Sequence, residues 1–526
     1  MVTSIRQVYR GAGVAAAALL ILAACSGGGS SKPQGWVKGT FQPASDFYAK
    51  CASPRTGTDP ITGQPYPDTS GTTLDENNWL RSWSNDTYLW YNEIQDVDPA
   101  NYTPATYFPI LKTFATTPSG AQKDRFHFTY PTTQWEQLSQ SGVSAGYGAT
   151  FSIISGTPPR SIVVAYTQPN SPATASTVNL ARGAQILTVD GVDVVNSNTT
   201  AAINSLNAGL FPSNTGETHT FTIQDLGAST TRSITMTSTT VTETPVQDIM
   251  TIADSNGAIG YMVFNDHIAT AEQELIDAIN QLKTAGVTDL ILDLRYNGGG
   301  YLDIASELAY MIAGPATAGQ TFELTQFNNK HPNVDPVTGM AIQPMPFHDT
   351  ALGLSATAGQ ALPSLDLSSV YVITGSGTCS ASESIINSLR GVGVSVYEIG
   401  STTCGKPYGF YPTDDCGTTY FTIQFRGVNA INFGDYPDGF SPDNVASPVG
   451  VPIAGCQVAD DFTHALGDTS EARLAAAIQY RDTATCPTVT GLTSMTALTV
   501  PGTAPRSAVE AYTPKSAWLE NRILRR

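Results

Sequence analysis

The chain has 526 residues, 41% of them hydrophobic and only 13% charged, with a net charge of −18. That length exceeds what one core supports, so two or three folded units are expected. The acidic balance excludes nucleic acid as a natural partner. Arg6 and Arg10 precede an apolar run, residues 11–24, too short for a confident bilayer span, and no later stretch is long and apolar enough to be one.

That run ends in Leu22, Ala23, Ala24 and Cys25, and SGGGSS at residues 26–31 follows as a flexible tether. The ending resembles a bacterial lipobox. The resemblance implies a signal peptide at 1–24, lipidation of Cys25 and a place in the bacterial cell envelope, on the periplasmic side of the outer membrane. Residues 25–45 read as linker.

Residues 46–138 read as a small helical domain. In DENNWLRSWSNDTYLWYNEI (75–94), Trp79, Leu80, Trp83, Tyr88 and Leu89 recur at near-helical spacing. Residues 139–246 change to Thr-, Val- and Ile-rich strands with Gly, Asn and Asp turns. Gly146, Tyr147 and Gly148 form a glycine-flanked loop there, and NLARGAQILTVDGVDV (179–194) follows Ser171, Pro172 and Ala173. These pieces resemble a PDZ domain, although Ala184 stands where that family usually has Asp. The resemblance implies that the 146–148 loop offers backbone N–H groups to a peptide carboxylate and that the next strand pairs with the peptide.

From 247 to 485 the pattern is α/β. A strand at 259–264 precedes a helix at 269–285 with Leu275, Ile276, Ile279 and Leu282 on its apolar stripe. TDLILDL (288–294) is a near-continuous apolar run, as in a strand covered on both faces. It runs into RYNGGG (295–300) and a second helix. A buried strand at 370–374 leads to GTCSASESIINSLRG (377–391), and an apolar strand at 394–399 leads to GSTTCGKPYG (400–409). Residues 486–526 are rich in Thr, Ala and Pro and read as a weakly ordered tail.

Three of these turns carry chemistry. Gly298, Gly299 and Gly300 lie between a buried strand and a helix, where backbone N–H groups can approach a developing negative charge. Ser380 occupies the equivalent strand-to-helix turn. A serine nucleophile needs a base. None of His127, His219, His267, His331, His348 or His464 lies in a familiar motif with it, and Ser380 does not sit in a GxSxG elbow. Lys406 is the only lysine between Lys330 and Lys515 and follows an apolar strand. Burial disfavours a charged lysine and makes it a base. Neither CxxC nor HExxH occurs, so no metal site and no cofactor are expected.

LILDLRYNGGG (290–300), CSASE (379–383) and GSTTCGKPYG, in that order after a PDZ-like segment, resemble the carboxyl-terminal processing peptidases, or tail-specific proteases. The likeness runs from about residue 75 to 480. It implies a crotonase-like, Clp-protease-like catalytic core with a Ser–Lys dyad. Ser380 matches the nucleophile and Lys406 the general base. The N–H of Ala381 matches one oxyanion donor, and the Gly299/Gly300 pair the other, with Gly299 preferred. Glu383 matches an acidic position that orients the lysine in some members, or is a first-turn acid favoured by the helix dipole. YPDGFSPD (436–443) resembles a late core-shaping segment. Phe410 stands where many members have Gln, and Cys379 where Ala or Ser is frequent.

The expected function is an exported, lipid-anchored serine endopeptidase acting on proteins or peptides, with a PDZ-like domain that presents or gates substrate, in part by its C-terminus. The alternative on the same fold is a non-catalytic envelope lipoprotein that binds a peptide or a hydrophobic ligand. Six cysteines remain besides Cys25: Cys51, Cys379, Cys404, Cys416, Cys456 and Cys486. An even number in an exported chain points to disulfides, with Cys404–Cys416 as the expected local pair.

Overall fold

The computed structural model describes residues 36–445 and 447–487, together with the backbone of Arg522–Ile523. The expected signal peptide, Cys25 and most of the segment after 487 lie outside the described residues. Helix α1 (Thr73–Thr87) starts at a capping box: Thr72 Oγ1 accepts from the Asp75 N–H, and the Asp75 carboxylate accepts from the Thr72 N–H. Its Trp79 and Trp83 stack at 5.0 Å and pack with Phe108 and Tyr420. Tyr420 belongs to the strand Thr418–Phe421, which pairs antiparallel with Phe128–Pro131. The N-terminal segment is thus built onto residues far along the chain.

A β-rich unit follows, with its own core of Tyr147, Phe151, Val164, Ile186, Leu206 and Phe221 among others. It contains β1 (Val143–Gly146), β2 (Ala149–Ser155), β3 (Ser161–Thr167), β4 (Gln185–Val189), α2 (Thr200–Leu210), β5 (Thr218–Gln224), β6 (Arg232–Thr237) and β7 (Thr239–Thr242). The sheet runs β6-β5-β4-β3-β2, with Val192–Asp193 added beside β4, and β1 pairs separately with β7. Strand β2 lies at the sheet edge.

The α/β unit is organised by a six-stranded sheet. Its elements are β8 (Val246–Ile252), β9 (Ile259–Phe264), α3 (Ala271–Thr284), β10 (Asp289–Asp293), β11 (Gly300–Tyr301), α4 (Leu302–Ala313), β12 (Ser369–Thr374), α5 (Ala381–Gly391), β13 (Ser395–Gly400), β14 (Tyr408–Gly409), β15 (Gly455–Gln457) and α6 (Ala472–Thr483). The sheet order is β8-β9-β10-β12-β13-β15, parallel except for β8 against β9. Successive side chains leave opposite faces of a strand. Leu290 and Leu292 therefore join Val370 and Val372 under α3, α4 and α5, whereas Ile291 joins Tyr371 and Ile373 under α6. Both faces are covered, which is why the run at 288–294 reads as continuously apolar.

The six cysteines close as Cys51–Cys416, Cys379–Cys404 and Cys456–Cys486. The expected Cys404–Cys416 pair does not form. Cys416 sits in a left-handed turn, φ 53°, beside the N-terminal segment, where the neighbouring Asp415 accepts from the Ala49 N–H at 2.8 Å. Cys404 is held elsewhere: its N–H donates to Thr378 O at 2.9 Å, which sets it beside Cys379.

Candidate active site

Three consecutive crossovers of the parallel sheet bring the chemistry-bearing turns together at the carboxyl ends of β10, β12 and β13. After β12, Thr378 anchors the turn: its hydroxyl donates to Leu294 O at 2.7 Å and accepts from the Gly375 N–H at 2.9 Å. The Cys379 N–H donates to Asn297 O at 3.0 Å. Ser380 then adopts φ 62°, ψ −111°, a conformation that L residues rarely take, immediately before the first residue of α5. Ser380 is fully buried, and among the described residues its Oγ has no hydrogen-bond partner. The turn is therefore a strained elbow without the GxSxG sequence. Ala381 is the first helical residue, so its N–H has no partner within the helix.

Glu383, one turn along α5, is completely buried. Its carboxylate accepts from the N–H of Ser380 (2.9 Å), Gly405 (2.8 Å) and Lys406 (2.8 Å) and from Thr403 Oγ1 (2.6 Å). Burial, the largest influence, pushes its carboxyl above the ordinary value, against these hydrogen bonds, which favour the anion. Glu383 thus ties the backbone of the serine turn to the backbone of the lysine turn. Thr403 is braced in turn by Phe440 of the 436–443 segment, whose N–H donates to Thr403 Oγ1 at 2.8 Å. The Cys379–Cys404 disulfide is a second, covalent tie between the same two turns.

Lys406 is fully buried. Its Nζ lies 4.6 Å from the Phe126 ring centroid and 4.8 Å from that of Phe410. The surrounding cluster, which includes Tyr88, Trp135, Tyr408, Phe410 and Phe421, is apolar. Phe126 comes from the N-terminal segment and Arg125 donates to Cys404 O, so that segment walls the lysine in. Nothing in the local pattern around Phe126 announced this.

The glycine turn is fixed by its neighbours. Asn297 Nδ2 donates to Phe264 O at 2.9 Å, and Asn297 Oδ1 accepts from the Gly299 N–H at 2.9 Å and sits 2.9 Å from His267 Nδ1. The Gly299 N–H, preferred from sequence as an oxyanion donor, is therefore already engaged. Gly300 differs. His267 N–H donates to Gly299 O, and the Tyr301 N–H donates to His267 O, so the N–H of Gly300 between them faces the opposite edge. Gly300 has φ 141°, and a Cβ there would collide with the His267 carbonyl.

Below the turn, fully buried Arg295 bonds Asp293, Asp460 and Glu471. Burial opposes ionisation of Asp460, yet Arg295, Arg473 and Arg182 together hold its carboxyl well below the usual range. Arg182 reaches in from the β-rich unit. It donates to Tyr296 Oη at 2.7 Å and to Asp460 at 2.7 Å, while the Tyr296 hydroxyl donates to Asp460 at 2.5 Å. The glycine turn is thus latched to the β-rich unit by Arg182 and Tyr296, which sit in quoted motifs but had no such role assigned, and by Asp460.

In the β-rich unit, Gly146 closes β1, and the Tyr147 hydroxyl donates to Gly209 O at 3.1 Å in the core. The carbonyls of Tyr147 and Gly148 accept from the N–H groups of Ala173 and Gln168. The loop leads directly into edge strand β2.

Residues 258–410 match the family model of Peptidase family S41. The matched stretch contains Ser380, Lys406 and the glycine turn. A carboxyl-terminal-processing protease of Picosynechococcus sp. is 33% identical over 142 residues, 27% of this chain and 32% of that protein, so the match spans about a third of that curated relative. Among solved structures, a protein of Bacteroides fragilis NCTC 9343 assigned to the S41 proteases superposes with a TM-score of 0.56 at 22% identity, covering 80% of this chain and 98% of that one. This likeness establishes a multidomain α/β fold of that kind. A photosystem II D1 C-terminal processing protease is a more distant match, with a TM-score of 0.42 at 18% identity, covering 77% of this chain and 100% of that chain.

Proposed function

We propose that the chain is an exported serine endopeptidase that hydrolyses peptide bonds of proteins or peptides through a Ser380–Lys406 dyad. The observation that carries this reading is the buried hydroxyl of Ser380, without a hydrogen-bond partner among the described residues, on a strained helix-start turn, tied by the Glu383 carboxylate to the turn of a buried lysine. A polar group left without a partner in a protein interior costs about 1–3 kcal/mol, and the backbone strain adds a similar amount. Such a cost is expected where a substrate completes the site.

In this mechanism neutral Lys406 Nζ takes the proton from Ser380 Oγ as the oxygen attacks the scissile carbonyl. The N–H groups of Ala381 and Gly300 stabilise the resulting oxyanion at the positive end of α5. The C–N bond breaks, the ammonium returns its proton to the leaving amine, and an acyl ester remains on Ser380. Water gives a proton to Lys406 and attacks the ester; the C–O bond to Ser380 breaks, Lys406 returns that proton to Ser380 Oγ, and the acid is released. Glu383 acts as a positioning residue, since its bonds go to backbone N–H groups. No cofactor enters the scheme.

The unit at 143–242 is read as PDZ-like, with β2 as the edge that takes an extended peptide and the 146–148 loop as the carboxylate end of that groove. The Arg182 latch would then couple its occupancy to the glycine turn. Lipidation at Cys25 would hold the enzyme in the bacterial envelope, facing the periplasm. The test is digestion of an unfolded casein by the chain lacking residues 1–24. Wild type should cut, and Ser380→Ala and Lys406→Ala should each lose about 10⁴-fold or more in kcat/KM with unchanged circular dichroism. Unchanged cutting by either folded variant would refute the dyad.

A further inference from the structure

The edge of Gly300–Tyr301 that faces away from His267 is occupied. Strand β16, Arg522–Ile523, pairs with it in parallel, Gly300 opposite Arg522 and Tyr301 opposite Ile523. The same short strand lies against β14, Tyr408–Gly409, which begins two residues after Lys406. It therefore crosses between the glycine turn and the lysine turn, along the edge that presents the Gly300 N–H. An extended peptide that is to place its carbonyl between the N–H groups of Gly300 and Ala381 has to run along this edge.

We propose that the segment around Arg522–Ile523 is a cis-acting occupant of the peptide groove, which holds the enzyme in a self-blocked state until substrate displaces it. This rests on the peptidase reading above. The geometry of tethering permits it: residues 488–521, at ~3.3 Å per residue when extended, span about 110 Å. The segment also has a substrate's chemistry for β-augmentation, since its recognition is through backbone pairing and needs no particular side chain. Tethering within one chain gives an effective concentration of order mM, so even a segment with a Kd near 0.1 mM would be displaced only by a competing substrate, and its block would be about tenfold.

The test keeps the full chain and removes only the pairing. Proline at 523 deletes a backbone donor and cannot sit in a paired strand. Ile523→Pro should raise kcat/KM on unfolded casein about tenfold, and the synthetic peptide SAWLENRILRR should inhibit this variant competitively. In the Ser380→Ala background, the fluorescein-labelled peptide should bind about tenfold more tightly when Ile523→Pro is also present. Equal binding in the two backgrounds, or measurable casein cleavage that is equal in wild type and Ile523→Pro, would overturn the proposal. If neither form cuts casein but the binding difference persists, the docking stands and the hydrolytic reading falls.

Discussion

Two turns of this molecule are built from small residues at the mouth of a regular element, and they solve the same steric problem differently. At 146–148 the left-handed position is given to Gly148, φ 72°, and the carbonyls of Tyr147 and Gly148 are bonded. At 377–381 the left-handed position is given to Ser380, and its hydroxyl has no partner among the described residues. The first turn is locally satisfied. The second is held in place by its surroundings: Thr378 on Leu294 O, Cys379 on Asn297 O, Glu383 on two turns at once, and a disulfide to Cys404. Strain and an unmet polar group are concentrated where chemistry would need them, and the cost of holding them is spread over a well-packed core.

The sharpest way to break this comparison after the dyad variants is to cut the covalent tie. Cys379→Ser with Cys404→Ser, or mild reduction, should lower kcat by about 100-fold, the scale of a misplacement near 1 Å, with KM little changed. Cys456→Ser with Cys486→Ser removes a disulfide at the far sheet edge and should lower the melting temperature while leaving kcat unchanged. Parallel kinetics and thermal melts check both. Equal effects on kcat from the two pairs would mean that Cys379–Cys404 is merely structural.

The strain itself can be read by substitution. Ser380→Gly relieves the positive φ and should melt higher than Ser380→Ala by about 1 kcal/mol, since relief of strain outweighs the entropy of glycine. Gly148→Ala should do the reverse, because its Cβ would meet Ser171 and φ 72° disfavours alanine. Denaturant titration of the three variants decides.

The smallest expected effect concerns a region remote from the elbow. Glu272 on α3 accepts from the N–H groups of Leu352, Gly353, Ser355 and Ala356, and Glu307 on α4 lies beside it. Burial, then the Glu272 charge, push the Glu307 carboxyl from 4.5 up to about 9. With the folded value raised, the stabilising contribution is full below pH 4.5 and is lost as pH rises towards 9. The melting temperature should fall over that range, and Glu307→Gln should flatten part of the fall by a few degrees. Identical pH profiles would remove the pair from the account.

Much of this was legible before any coordinates. The run LILDLRYNGGG marks a doubly covered strand and the glycine turn after it because burial on both faces and a run of glycines each leave a local composition signal. Ser380 was legible as a position, from its place after a buried strand, but its positive φ was not, because serine carries no signal for a left-handed conformation. What separates Gly299 from Gly300 was not legible, because Asn297 Oδ1 takes the Gly299 N–H, a side-chain choice that spacing does not encode. The cysteine pairing failed for a similar reason: Cys416 faces residues far upstream, and loop length favoured a nearer partner. Phe126 over Lys406 and Arg182 on Tyr296 and Asp460 are long-range contacts between units, invisible to a local pattern.

The most direct test of the central claim is to find which atom is the activated nucleophile. The chain lacking residues 1–24 would be treated with a fluorophosphonate probe, digested with trypsin and mapped by mass spectrometry, beside Lys406→Ala. The account predicts one adduct, on Ser380, that is lost in the lysine variant. Labelling at another serine, or equal labelling of Ser380 without Lys406, would contradict it.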